Sequence, residues 1–91
     1  MVHPAVFIYV LLRQDDPLNR RLGLVTSSKV GIAVKRNLIK RRLREIFRIN
    51  KHKFKFGTDI VFILRKGADK FDFHKLEEGI LTLLGRSNAL L

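Results

Sequence analysis

The stretch KVGIAVKRNLIKRRLREIFR, residues 29–48, decides how the fold is read, because it carries two patterns at once. At 100° per residue, Ile32, Ile39, Leu43, Ile46, Phe47 and Asn50 fall within roughly 100° of arc. A helix over 32–50 therefore presents one apolar face, with Asn50 its single polar member. The stretch also holds eight Lys and Arg. Asn37, Arg41, Arg44 and Arg48, spaced four, three and four apart, form one ridge beside the apolar face, with Lys40 next to it and Lys35 and Arg42 on the other flank.

An apolar helix face needs a sheet to cover, and the flanking sequence supplies one. AVFIYVLL (5–12) is β-branched and aromatic and reads as a strand, ended by RQDDPLNR, where Asp15, Asp16, Pro17 and Asn19 bring turn chemistry. RLGLVTSS (21–28) reads as a second strand with Leu22, Leu24 and Thr26 on one face. The short connection predicts an antiparallel hairpin. Gly23 inside that strand suggests a bulge or the close approach of another backbone. In TDIVFILRKG, Ile60, Phe62 and Leu64 alternate with Val61 and Ile63 in a run apolar on both faces, which suits a central strand. Asp72 can cap a last helix through Phe73, Leu76, Ile80, Leu83 and Leu84 that ends at Gly85, and Gly79 weakens it by up to about 1 kcal/mol. The tail RSNALL is expected to fray. The order predicts an α+β two-layer sandwich: a mixed sheet of three to four strands, the basic helix in a β-α-β unit and a C-terminal helix, forming one domain over 1–91 with its core at about 5–85.

At 91 residues the chain can bury roughly 60 to 65% of its unfolded surface, and its 46% apolar content argues for a folded body rather than a basic tail. The net charge is +11, and it is concentrated: residues 29–55 hold eleven basic side chains and one acid, Glu45. A polyanionic partner is expected. With no Cys there is neither a disulfide framework nor a thiolate metal site. Neither a signal peptide nor an apolar run of membrane-spanning length is visible, so a soluble cytoplasmic protein is expected. His3, His52 and His74 are scattered and read as surface residues, not metal ligands. Asp15 with Asp16 and Glu77 with Glu78 are sequence neighbours that diverge in space, and no nucleophile triad or phosphate loop appears. No catalytic residue, metal site or protein-bound cofactor is expected in the chain.

Three readings compete for the basic helix. A solvated helix intersperses Glu with Lys, whereas here like charges three and four apart each cost a few tenths of a kcal/mol unless an anion relieves them. A membrane-surface helix needs a free apolar face, and this one is required by the sheet. Phosphate binding remains: Arg dominates the ridge, favouring bidentate contacts, and Asn37 adds an amide donor and acceptor. Ser27, Ser28, Lys29 and Gly31 precede the helix and read either as ordinary capping residues or as an anion site at its N-terminus.

The segment 21–48 resembles the signature region of the bacterial ribonuclease P protein component, in Arg21, Gly23, Lys29, Val30, Gly31, Ala33, Val34, Arg36, Asn37, Lys40, Arg41, Arg44 and Glu45. DIVFILRKGA and LEEGILTLL also look like that family's later strand and last helix, so the likeness covers about 5–85. The resemblance implies a small basic subunit that joins a catalytic RNA to cut the 5′ leader from precursor tRNA, with Mg2+ at the RNA's active site and an endoribonuclease activity that belongs to the complex. It implies that the helix and its preceding turn contact the ribonuclease P RNA, through Lys29, Arg36, Asn37, Lys40, Arg41 and Arg44, to which the ridge adds Arg48. A cleft between helix and sheet is implied to take the single-stranded leader, with Phe7 and Tyr9 on one strand face and Arg65 at the end of the later strand as candidates. A left-handed β-α-β crossover is implied as well. Ser28 stands where the family has a second Lys, which removes one phosphate contact. The residues start almost at the first strand, so the family's N-terminal helix, whose aromatics line the cleft, is expected to be missing from them. The expected partners are the catalytic RNA and precursor tRNA, with no membrane and no obligate protein partner. The alternative is a ribosome-associated or general RNA-binding structural module.

Overall fold

A computed structural model describes residues 1–12 and 19–90. The expected turn residues Asp15, Asp16 and Pro17 lie outside the described residues. The strands are β1 (Val6–Leu12), β2 (Arg21–Val25) and β3 (Thr58–Leu64), and the helices are α1 (Ala33–Asn50) and α2 (Phe73–Arg86). The sheet order is β1-β3-β2. β1 pairs antiparallel with β3, from Val6 opposite Leu64 to Leu12 opposite Thr58, and β2 pairs parallel with β3, from Arg21 opposite Asp59 to Val25 opposite Ile63.

The expected β1–β2 hairpin is therefore not formed, because β3 lies between its two strands. The reason is visible in β3 itself. A hairpin would leave this most apolar strand at an edge with a row of unpaired backbone groups, whereas the centre pairs both of its edges. The exposed edges fall instead to the five-residue β2 and to β1. Residues 1–3 fold back on β1: the Ile8 N–H donates to the Met1 carbonyl, and the Met1 ammonium donates to the Ile8 carbonyl, each at 2.9 Å. The β2 register runs without a bulge, and a Cβ at Gly23 would lie 3.3 Å from Cγ2 of Val61, so the close approach there is by a side chain.

One sheet face is buried. Thr58, Ile60, Phe62 and Leu64 alternate inward with Val6 and Ile8, and meet Ile39, Leu43 and Ile46 of α1 and Leu76, Ile80 and Leu84 of α2. Ile32, expected on the helix face, is 67% exposed because it is the extended N-cap residue, outside the helical wheel. Asn50 is buried, and its Nδ2 donates to the Ile46 carbonyl at 2.9 Å and to Glu77 at 2.8 Å. The polar residue on the apolar face thus ties α1 to α2.

α2 starts as expected, with Asp72 Oδ1 accepting from the Lys75 N–H at 2.8 Å. It runs one residue past Gly85, and the chain reverses at Asn88 (φ 60°). Through Leu90 the tail is not frayed. Ala89 is buried, its N–H donates to Leu84, and its carbonyl accepts from Lys55 at 3.0 Å. His3 is likewise a buried residue and not a surface one, while His52 and His74 are exposed. The His3 Nδ1 accepts from the Ala5 N–H at 3.0 Å, its ring meets Phe71 edge-on at 5.4 Å, and a Cβ at Gly79 would lie 2.4 Å from its Nε2. The helix-weakening glycine is what makes room for the imidazole.

Candidate RNA interface

The residues of α1 that face the core point one way, and the ridge points almost directly away from them, roughly 160° round the helix at 100° per residue. The expectation that the ridge flanks the apolar face is corrected: Asn37, Arg41, Arg44 and Arg48 are all exposed on the outer surface of the helix. Val34, Asn37, Leu38, Arg41 and Arg44 line a shallow groove of about 460 Å³ there. Among the described residues, Asn37, Lys40, Arg41 and Arg44 have no side-chain partner. Their guanidinium and amide donors are left to water or to a ligand.

Other cations of α1 are already engaged. Arg48 forms a two-point ion pair with Glu45, one helical turn back, which holds the Glu45 carboxyl below its usual range, chiefly by this hydrogen bond. Arg42 Nη1 donates to the carbonyls of Phe71 at 2.8 Å and Asp69 at 3.2 Å, and Lys35 lies 3.7 Å from the Asp69 carboxylate. These two residues fasten the connection between β3 and α2. Arg36 and Lys40 are half-buried along the opposite flank. The free cationic ridge is therefore Arg41 and Arg44 with Lys40, less than the sequence alone suggests. The Glu45–Arg48 pair was legible from its spacing of three; the bonds from Arg42 to the backbone carried no sequence signal.

Lys29 is exposed on a 3-10 turn, Ser28–Val30, whose Val30 plugs into the core. Gly31 (φ 144°) and Ile32 separate that turn from α1, which has no side-chain N-cap. Ser27 and Ser28 thus do not cap α1. Lys29 lies with Lys35, Lys66, Lys70 and the Asp69 carboxylate that Lys35 pairs with around a cavity of about 290 Å³.

The remaining candidates sit on the far side of the sheet. Ile39, Leu43 and Ile46 of α1 are buried in the core between the helix and the strands. The face turned away from the helices carries Phe7 and Tyr9 of β1, with Tyr9 54% exposed. Arg65 lies over the Phe7 ring, its Cζ 4.6 Å from the centroid, and its Nη1 donates to the His3 carbonyl at 3.1 Å. Tyr9, two residues along β1 from Phe7 on the same face, leaves an aromatic ring in water, and Arg65 is already stacked on Phe7.

Comparisons with known proteins fit this geometry. The family described as Ribonuclease P matches residues 2–88. The ribonuclease P protein component of Citrifermentans bemidjiense is 44% identical over 85 residues, which cover 93% of this chain and 72% of that protein. The chain belongs to the ribonuclease P protein family. Solved structures of that family share its fold. The Thermotoga maritima ribonuclease P protein superposes with a TM-score of 0.80 at 37% identity, over 94% of this chain and 80% of the other. The Staphylococcus aureus ribonuclease P protein gives 0.84 at 26% identity, over 100% and 82%. The mixed three-stranded sheet with two helices is thus the ribonuclease P protein fold, and the family is a subunit of the endoribonuclease that matures tRNA 5′ ends. Among the described residues, no three His, Asp or Glu are grouped as metal ligands would be. Among the described residues, no helix is long and apolar enough to cross a membrane.

Proposed function

We propose that the chain holds the catalytic RNA of ribonuclease P on the outer face of α1 and the 5′ leader of precursor tRNA on the open face of the sheet. One observation carries this reading: the two surfaces face opposite ways across a body whose Cα extents are 37 × 23 × 21 Å. A chain so built can touch two RNA segments at once without their phosphates meeting.

Each surface suits its role. Arg41 and Arg44, with unengaged guanidinium groups, make bidentate phosphate contacts, and Asn37 and Lys40 extend them along the groove. Lys29 and Arg36 continue the cationic track toward the turn before α1. Arg48, paired with Glu45, contributes least. On the sheet, Tyr9 offers a face on which an unpaired base stacks, and Arg65 over Phe7 presents a fixed cation to the neighbouring phosphate. Hydrolysis is left to the RNA and its Mg2+, and the chain contributes affinity and position. It works in the cytoplasm, as a soluble partner of RNA.

The test is the affinity of the RNA–protein complex for precursor tRNA against mature tRNA. Tyr9→Leu should weaken the leader-bearing form by about fivefold or more and leave mature tRNA unchanged. Equal affinity of the parent complex for both forms would overturn the leader assignment. Equal binding of unrelated folded RNAs would point instead to a general RNA-binding module.

A further inference from the structure

Beyond the ridge and the open sheet face, the segment that leads from α1 into β3 carries an unusual pair. Phe56 is 57% exposed, although the core lies one turn away and Phe54 beside it is fully buried against Phe47 at 5.4 Å. Its ring is covered by a cation, Arg20, whose Cζ lies 4.2 Å from the centroid. Arg20 is not a loose surface side chain: its Nε donates to the Phe54 carbonyl at 2.8 Å, which fixes the guanidinium over the ring. Lys51, Lys53 and Lys55 share the segment, which contains no acid. The nearest carboxylate in sequence, Asp59, is bound by both nitrogens of the Arg21 fork at 3.1 Å.

We propose that Phe56, backed by Arg20 in a segment that also carries Lys51, Lys53 and Lys55, is a stacking platform for an unpaired RNA base, a third contact beyond the C-terminal end of α1. A phenyl ring 57% exposed, a guanidinium anchored over it, and a segment with three Lys and no acid match a base and its adjoining phosphates. A purely solvated loop needs neither the ring nor the anchored cation. The segment follows directly on the basic helix in the chain. The inference deepens the reading above, since the RNA it serves is the one held by α1.

The probes are a single-stranded RNA oligonucleotide and the same backbone with abasic sites, so that the outcome does not depend on any catalytic RNA. Phe56→Leu keeps the apolar bulk and removes the π-face, whereas Phe56→Tyr keeps the face. Binding of the base-bearing strand should fall about 5- to 150-fold in Phe56→Leu and stay within twofold in Phe56→Tyr. The abasic strand should bind both variants like the parent, with an unchanged salt slope because no ionic contact is removed. Arg44→Ala should weaken both strands alike. An equal loss on both strands in Phe56→Leu, or no loss on either, would overturn the platform whatever the melting temperature of the variant. Failure of the chain to bind ribonuclease P RNA would overturn the proposed function and leave this result standing.

Discussion

Gly79→Ala, a change that ordinarily strengthens a helix, should weaken this protein. In a helix interior the alanine gains about 0.8–1 kcal/mol. At position 79 its Cβ would lie 2.4 Å from Nε2 and 2.7 Å from Cδ2 of His3, at least 0.7 Å inside ordinary contact. The imidazole cannot easily retreat. Its Nδ1 holds the Ala5 N–H and its edge rests on Phe71. Displacing it forfeits a hydrogen bond of about 1 kcal/mol and a ring contact of about 0.5–1.5 kcal/mol, within the usual overpacking range of roughly 1–3 kcal/mol. The net should be a loss of about 1 kcal/mol or somewhat more, which lowers Tm by roughly 4–8 °C for a domain of this size. In a His3→Ala background the obstacle is gone, and the same substitution should stabilise by up to about 1 kcal/mol. The assay is urea unfolding of the four-member cycle at pH 7.5, followed by circular dichroism. A stability gain from Gly79→Ala in the parent background would refute the packing of His3 against α2. Because the His3 carbonyl also accepts from Arg65, the clash should be felt on the open sheet face, as weaker binding of leader-bearing RNA.

Other outcomes follow from single contacts. Burial first, and Arg65 second, hold the His3 pKa below 6.5, so the unfolded chain binds this proton at a higher pH than the folded one. The stability His3 contributes is complete above pH 6.5 and is lost as pH falls toward the depressed folded value; a His3→Gln variant should show a shallower loss of urea midpoint between pH 7.5 and 5.5. Arg42→Ala should cost about 1–2 kcal/mol of stability, since it strips a charged donor from two carbonyls, and change RNA affinity by less than twofold once folded. Arg44→Ala should do the reverse, with an unchanged melt and a salt slope smaller by about 0.7–0.9. Asn50→Ala should destabilise by about 1–3 kcal/mol in a thermal melt, because the α1–α2 tie to Glu77 is lost.

What the sequence disclosed depended on whether a feature was local. The helix at 33–50 and the Asp72 cap follow from spacing within one element, and both stand. Strand pairing is not local. The short 13–20 connection suggested a hairpin, yet the better clue was the run 58–64, whose two apolar faces already required the centre of the sheet and so kept β1 and β2 apart. The fate of individual cations was the least legible. Arg42 and Arg41 are neighbours of like chemistry, and only the position of the Asp69 and Phe71 carbonyls makes one a structural tie and leaves the other exposed. His3 and the tail around Ala89 looked like surface because their partners, Gly79 and Lys55, are distant in sequence. The separation of the ridge from the sheet surface also waited for the layers to be placed.

The central claim is that this chain is the protein component of a ribonuclease P, and single-turnover cleavage tests it most directly. The cognate catalytic RNA at low Mg2+ would be mixed with a leader-bearing precursor tRNA, with and without the chain, and the appearance of mature 5′ ends followed. The account predicts a large rise in rate with the chain present, reduced in Arg41→Ala and Arg44→Ala. An unchanged rate at protein concentrations that saturate the catalytic RNA would contradict it.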